Sequence, residues 1–143
     1  MIKNRMKDED FLFDFNEMSL NSAVLGKEYP KGLDVLFEKK RGYQLGVSKG
    51  VINFISIFFT DNDYGFGKYK GKIKKDNFNI LIDEESQPDD IKKIFGGDYD
   101  SWCDGVETNL NFIFKRFSVE FSWYRNADFF KLIYFSVEVN YEI

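Results

Sequence analysis

The clearest pattern along this chain is alternation of apolar and polar residues, the period of a strand with one dry and one wet face. Leu110, Phe112 and Phe114 alternate with Asn109 and Asn111, and Phe117, Val119, Phe121 and Trp123 alternate with Ser118, Glu120 and Ser122. Ile133, Phe135, Val137 and Val139 do the same against Tyr134, Ser136 and Glu138. Strands of this kind are satisfied in an antiparallel sheet covered on a single side. Earlier in the chain, residues 11–15 read as a first strand, and 33–37 with 43–47 as a hairpin across the charged connection 38–42. Ser48-Lys49-Gly50 turns the chain into an apolar strand over 51–59, and 60–65 is loop. Residues 66–73 read as a strand whose Lys68, Lys70 and Lys72 make it a polar edge. It turns at Lys74-Lys75-Asp76 to pair with 77–82.

Two short helices are expected. Ser19 has the character of an N-cap for a helix through Leu25, closed by Gly26. The second starts at Ser86-Gln87-Pro88-Asp89, with a cap hydroxyl, a proline in the first turn and an acid at the third helical position. Ile91, Ile94 and Phe95 form its apolar face, and Gly96-Gly97 ends it.

These elements fall into a repeat. Leu25-Gly26 and Phe95-Gly96 each close a helix and are followed by strands. The run 51–59 lays over 131–139 with matched apolar positions and a shared serine, Ser56 and Ser136. The expected fold is α+β, predominantly antiparallel β-sheet built from two similar halves, each with one short helix packed on the sheet. It is a single domain over 1–143, with pseudo-repeats of about 11–73 and 77–141 and a polar stretch at 1–10. Gly26 and Gly96 are 70 positions apart, whereas the matched strands are 80 apart. The second half therefore carries an insertion, and Asp98-Tyr99-Asp100-Ser101-Trp102-Cys103-Asp104-Gly105 is where it falls, as an added loop.

Composition then narrows the chemistry. A chain 43% hydrophobic and 19% aromatic folds around a core rather than remaining disordered. With no His, imidazole-based triads and the common zinc sites are excluded. The one cysteine, Cys103, is expected to be a partly buried spectator. The first ten residues hold no apolar run, and no stretch approaches the roughly 20 apolar residues of a membrane span. The expected location is cytoplasmic, with no membrane partner.

Net charge is only −4, but residues 76–107 hold ten acids against Lys92 and Lys93, which leaves that window at −8. Such a surface disfavours nucleic acid and favours a basic protein. Asp61-Asn62-Asp63 and Asp98-Tyr99-Asp100 begin like calcium loops. The sixth position, however, is Phe66 or Cys103, and the twelfth is Lys72 or Asn109, so neither continues as one. Gly65-Phe66-Gly67 leads into a strand-like run instead of a phosphate-holding helix. Glu84-Glu85 and Asp89-Asp90 sit where a helix start wants acids, which weakens a glycosidase-type pair. No catalytic residue, metal ligand or cofactor is expected. What remains are aromatic side chains among carboxylates, a composition suited to binding a cationic cleft. The candidate partner-binding residues are Asp98, Tyr99, Asp100, Trp102 and Asp104, with Asp61, Asp63 and Tyr64 as a second loop. The competing role for Trp102 is an inward plug.

Each half, a capped helix ending in Leu-Gly or Phe-Gly and followed by antiparallel strands, resembles the tandem repeat of β-lactamase-inhibitor-like proteins over residues 11–141. The chain as a whole resembles bacterial immunity proteins of contact-dependent growth inhibition and related polymorphic toxin systems. That resemblance implies a non-enzymatic, cytoplasmic protein. It would bind the C-terminal domain of a cognate toxin, a basic nuclease, and occlude its active site or substrate groove. Contact residues vary among such proteins, so none is carried over; a monomer is favoured. The alternative is a small-ligand binding or scaffold module using the concave face between the halves.

Overall fold

The computed structural model describes residues 7–29, 37–60, 67–126 and 129–140. In chain order the strands are β1 (Leu12–Asp14), β2 (Ser19–Leu20), β3 (Ala23–Val24), β4 (Phe37–Glu38), β5 (Tyr43–Ser48), β6 (Val51–Phe58), β7 (Lys72–Lys75) and β8 (Phe78–Ile80). The helix α1 (Pro88–Phe95) follows, and then β9 (Tyr99–Cys103), β10 (Glu107–Ile113), β11 (Phe117–Asn126) and β12 (Phe129–Val139). They form a five-stranded sheet in the order β3-β2-β1-β7-β8 and a seven-stranded sheet in the order β4-β5-β6-β12-β11-β10-β9. Every pairing is antiparallel except β1 with β7. The α+β, mainly antiparallel character read from the alternating pattern therefore holds.

The small sheet and α1 pack on one face of the large sheet, and their rings build the core. Phe13 of β1 meets Phe135 of β12 edge-on, with ring centres 5.0 Å apart. Phe15 lies 5.0 Å from Phe135 and 5.0 Å from Phe95 of α1. Phe95 in turn covers Phe112 and Phe121. Ile55, Ile57, Leu110, Val119 and Val137 complete the layer, all buried on the same face. Trp123 is fully buried as well, and its indole N–H donates to the Ser86 carbonyl at 2.7 Å, so no polar atom of the ring is left unmade.

The first expected helix is not formed. Met18 and Asn21 take positive φ, which splits residues 19–24 into two short strands, β2 and β3, turned at Asn21. Asn tolerates that backbone, and here its Oδ1 also accepts the Leu12 N–H at 2.9 Å. A seven-residue helix gains few internal hydrogen bonds, whereas pairing beside β1 buries Leu20 and Ala23. Gly26, at φ +81°, does not close a helix; it hands the chain to the large sheet, its N–H donating to the Ile52 carbonyl.

Three further expectations change. The lysine-rich strand begins only at Lys72, and β7 lies inside the small sheet between β1 and β8, not at an edge. Its turn with β8 is at Asp76-Asn77, both at positive φ. On β12 the pairing slips beside Ser122/Trp123, so that Leu132, not Ile133, joins the buried face. Ile133 is the extra residue of that bulge, and its carbonyl accepts the Phe59 N–H.

The second helix forms as expected, displaced by one residue. Gln87 stands at the cap, Pro88 is the first helical residue, and Asp90 accepts the Gln87 N–H at 2.9 Å. The Gln87 side chain bonds both backbone groups of Phe130, and Leu132 N–H donates to the Glu84 carbonyl. The approach to α1 is thereby fastened along β12. Lys131 pairs with Glu85 and Lys68 with Glu84 on the same segment. Of the strand expected over 33–37, residues 33–36 lie outside the described residues.

Candidate protein-binding surface

The segment 98–105, expected as a loop, holds β9, which among the described residues is the outermost strand of the large sheet. β9 pairs with β10 on one side, and all five of its residues are exposed. Asp104-Gly105 turns the hairpin, with Gly105 at φ +90°. Asp104 fastens that turn, because its Oδ1 accepts the N–H groups of Val106 at 2.9 Å and Glu107 at 2.8 Å. Those two backbone donors hold the Asp104 carboxyl below the usual carboxylate range, the Glu107 bond first. A carboxyl depressed on folding stabilises the hairpin above its unfolded value of about 3.9, and that support fades as pH falls through the lower folded value. The protection factors of the amides bonded between β9 and β10 are therefore expected to fall on acidification below pH ~4. In Asp104→Ala the same protection should be low already at neutral pH.

Strand alternation divides the candidate residues between two faces. Tyr99, Ser101 and Cys103 stand in rows with Phe112, Leu110 and Thr108, on the side of α1. The Tyr99 ring is 5.8 Å from Phe112, and Lys92 of α1 lies over it at 5.1 Å. Asp100 and Trp102 stand opposite Asn111 and Asn109, on the other face. Trp102 is 52% exposed, so it is no inward plug. Asp98 is exposed just before the strand. The structure thus brings Asp100 and Trp102 together and sets Tyr99 on the reverse of the same edge. Asp61, Asp63 and Tyr64 lie outside the described residues.

Cys103 is exposed, whereas a partly buried thiol was expected. Thr108 Oγ1 donates to its Sγ at 3.3 Å, and this bond, followed by one from the Gly105 backbone, lowers the thiol pKa. Cys103 is expected to react fully with Ellman's reagent in the folded protein. Release of thiol colour only after denaturation would contradict that.

The open face of the large sheet carries polar side chains that the sequence pattern marked only as wet. Asp100, Asn111, Glu120, Ser136, Ser56 and Gln44 run across six strands in one row. The next row is Trp102, Asn109, Ser122, Tyr134 and Phe58. Tyr134 donates its hydroxyl to Glu120 Oε1 at 2.7 Å, and burial, reinforced by that carboxylate, pushes its pKa up, so it stays a neutral donor. Ser56 and Ser136 bond each other at 2.9 Å. Asn109 Oδ1 is shielded from solvent beside Trp102 and Ser122 without a hydrogen-bond partner.

At the far end of the core a cavity of about 310 Å³ opens between Phe15, Phe95, Phe114 and Phe117, with Lys75 and Asp76 at its rim. Lys75 and Asp76 pair at 2.8 Å, and Lys75 also sits 5.6 Å over the Phe95 ring. Among the described residues no cluster of three His, Cys, Asp or Glu side chains could hold a metal ion, and no helix is long and apolar enough to cross a membrane. No protein-family model, curated protein or solved structure matches the chain.

Proposed function

We propose that this protein is an inhibitor without catalytic activity of its own, an immunity protein that binds the C-terminal domain of a cognate bacterial toxin in the cytoplasm. In this reading the toxin domain is a basic nuclease, and the bound protein occludes its active site or substrate groove. The observation that carries the reading is Trp102, half exposed on the outermost strand of the sheet with Asp98 and Asp100 beside it. A large rigid ring can anchor a contact at low entropic cost, and the carboxylates steer and select a cationic partner. The chain carries no histidine and a −8 segment around this strand, which also favours capture of a basic surface over catalysis.

The large sheet is further read as the meeting of two similar halves. The two strands matched in sequence, β6 and β12, are neighbours, and their shared serines face each other at its centre. Each then continues outward through an antiparallel partner, β5 or β11.

Co-expression with the toxin-like C-terminal domain of a large exported protein encoded directly upstream tests the proposal. Growth should be rescued and the two proteins should co-purify; a toxin that kills equally well in the presence of this protein rules the proposal out.

A second reading, a small-ligand module, is favoured by the aromatic cavity at Phe95. Saturating indole should raise Tm by several degrees under that reading, and by nothing if the cavity serves only as a seam between sheets.

A further inference from the structure

β9 offers its backbone as well as its side chains. In an antiparallel ladder alternate residues exchange both hydrogen bonds with the opposite residue, and those between them point the other way. The N–H of Asp104 donates to the Glu107 carbonyl, so 104 and 107 form a bonded pair. By the alternation, 102 with 109 and 100 with 111 are bonded pairs too. The same phase follows independently from the next hairpin, where Phe114 N–H donates to the Phe117 carbonyl. That assigns Phe112 and Leu110 to β11 and leaves Asn109 and Asn111 for β9. The N–H and C=O groups of Tyr99, Ser101 and Cys103 therefore point away from β10, where no described strand lies.

Such a row is a template for an added strand, and its flanking acids decide which strand. Two copies could pair edge to edge in three symmetric antiparallel registers that engage at least two of these three residues on each copy. Pairing Ser101 with Ser101 sets Asp98 against Asp104. Pairing Tyr99 with Ser101 sets Asp100 against Asp100, and pairing Ser101 with Cys103 sets Asp100 against Asp104. Each register brings like charges directly opposite, which destabilises a sheet pair. A strand with Lys or Arg at those positions meets the opposite sign in every one of them.

Resting on the inhibitor reading and giving it a binding mode, we propose that β9 takes up an extended, basic segment of the partner protein as an eighth strand of the large sheet.

Ser101→Pro is the direct test. Its N–H faces outward, so proline removes a donor that β10 does not use and blocks the added strand, while edge strands tolerate proline at such positions. The full-length protein is mixed with a synthetic peptide that has Lys at every second residue, and with the same peptide carrying Glu. Amide exchange is read at residues 99, 101 and 103. The Lys peptide should slow these amides and the Glu peptide should not. Ser101→Ala should behave as the unmodified chain, and Ser101→Pro should bind at least about tenfold more weakly with its fold kept, as judged by unchanged Tm.

Equal effects of the two peptides overturn the proposal. So does protection of the same amides without peptide as protein concentration rises, which would mark pairing of two copies. If Ser101→Pro still captures the toxin domain while Trp102→Ala does not, strand addition fails and the inhibitor reading stands. If the unmodified protein gives no rescue, the inhibitor reading fails whatever the peptides do.

Discussion

Phe135→Ala is expected to lower the stability of the protein by about 3–5 kcal/mol. Phe135 is fully buried at the centre of β12, opposite Ile57 and Phe121. Its ring meets those of Phe13, Phe15, Phe59 and Phe121, within 5.8 Å in every case. Truncation loses the burial of that ring and leaves a void where the small sheet seats on the large one, because neighbours fixed in strands relax only partly. A domain of this size has a total stability of about 5–15 kcal/mol, so the loss is a large share of it. Urea denaturation followed by far-UV dichroism measures the change. The comparison is Phe78→Ala, where a ring 73% exposed at the small sheet's edge should move stability by no more than about 0.5 kcal/mol. Similar costs at the two positions would mean that Phe135 is not the hub of the core.

The second large effect is on binding. Under the proposed function, Trp102→Ala is expected to weaken capture of the toxin domain by at least about 2 kcal/mol, roughly thirtyfold, with Tm unchanged. Tyr99→Ala separates the two faces of β9. Tyr99 packs under Lys92 and beside Phe112, so its loss should loosen the seat of α1 and lower Tm, with a smaller effect on affinity. Isothermal titration of both variants against the purified toxin domain reads the difference. The reverse ranking, with Tyr99 dominant for affinity, would place the contact on the helix side of the strand.

The parts of this fold legible in the sequence are those where one period runs uninterrupted. β10, β11 and β12 alternate over seven or more residues, and the buried face follows the pattern at Leu110, Phe112, Val119, Phe121, Phe135 and Val137. Alternation cannot announce a bulge, so the exchange of Leu132 for Ile133 was hidden until the pairing with β11 was known. The helix expected over 19–25 failed because short segments are decided by what lies beside them. Asn21, a residue at home at positive φ, was the signal for a turn.

The strand character of 99–103 was also present, in Tyr, Trp and Cys followed by Asp104-Gly105 as a hairpin turn. Its acids made it read as a loop. Once it is a strand, alternation parts Tyr99 from Trp102, and this division is where the structure adds most to the candidate site. The polar rows around Tyr134 and Glu120 depend on register across strands far apart in sequence, which no local pattern encodes.

Hydrogen exchange on the full chain, alone and in its co-purified complex with the toxin domain, tests the central claim most directly. The predicted footprint is strongest over residues 98–105, with the outward amides of Tyr99, Ser101 and Cys103 slowed most. Protection confined to the open face around Tyr134 or to the Phe95 cavity, with 98–105 exchanging as in the free protein, would contradict it.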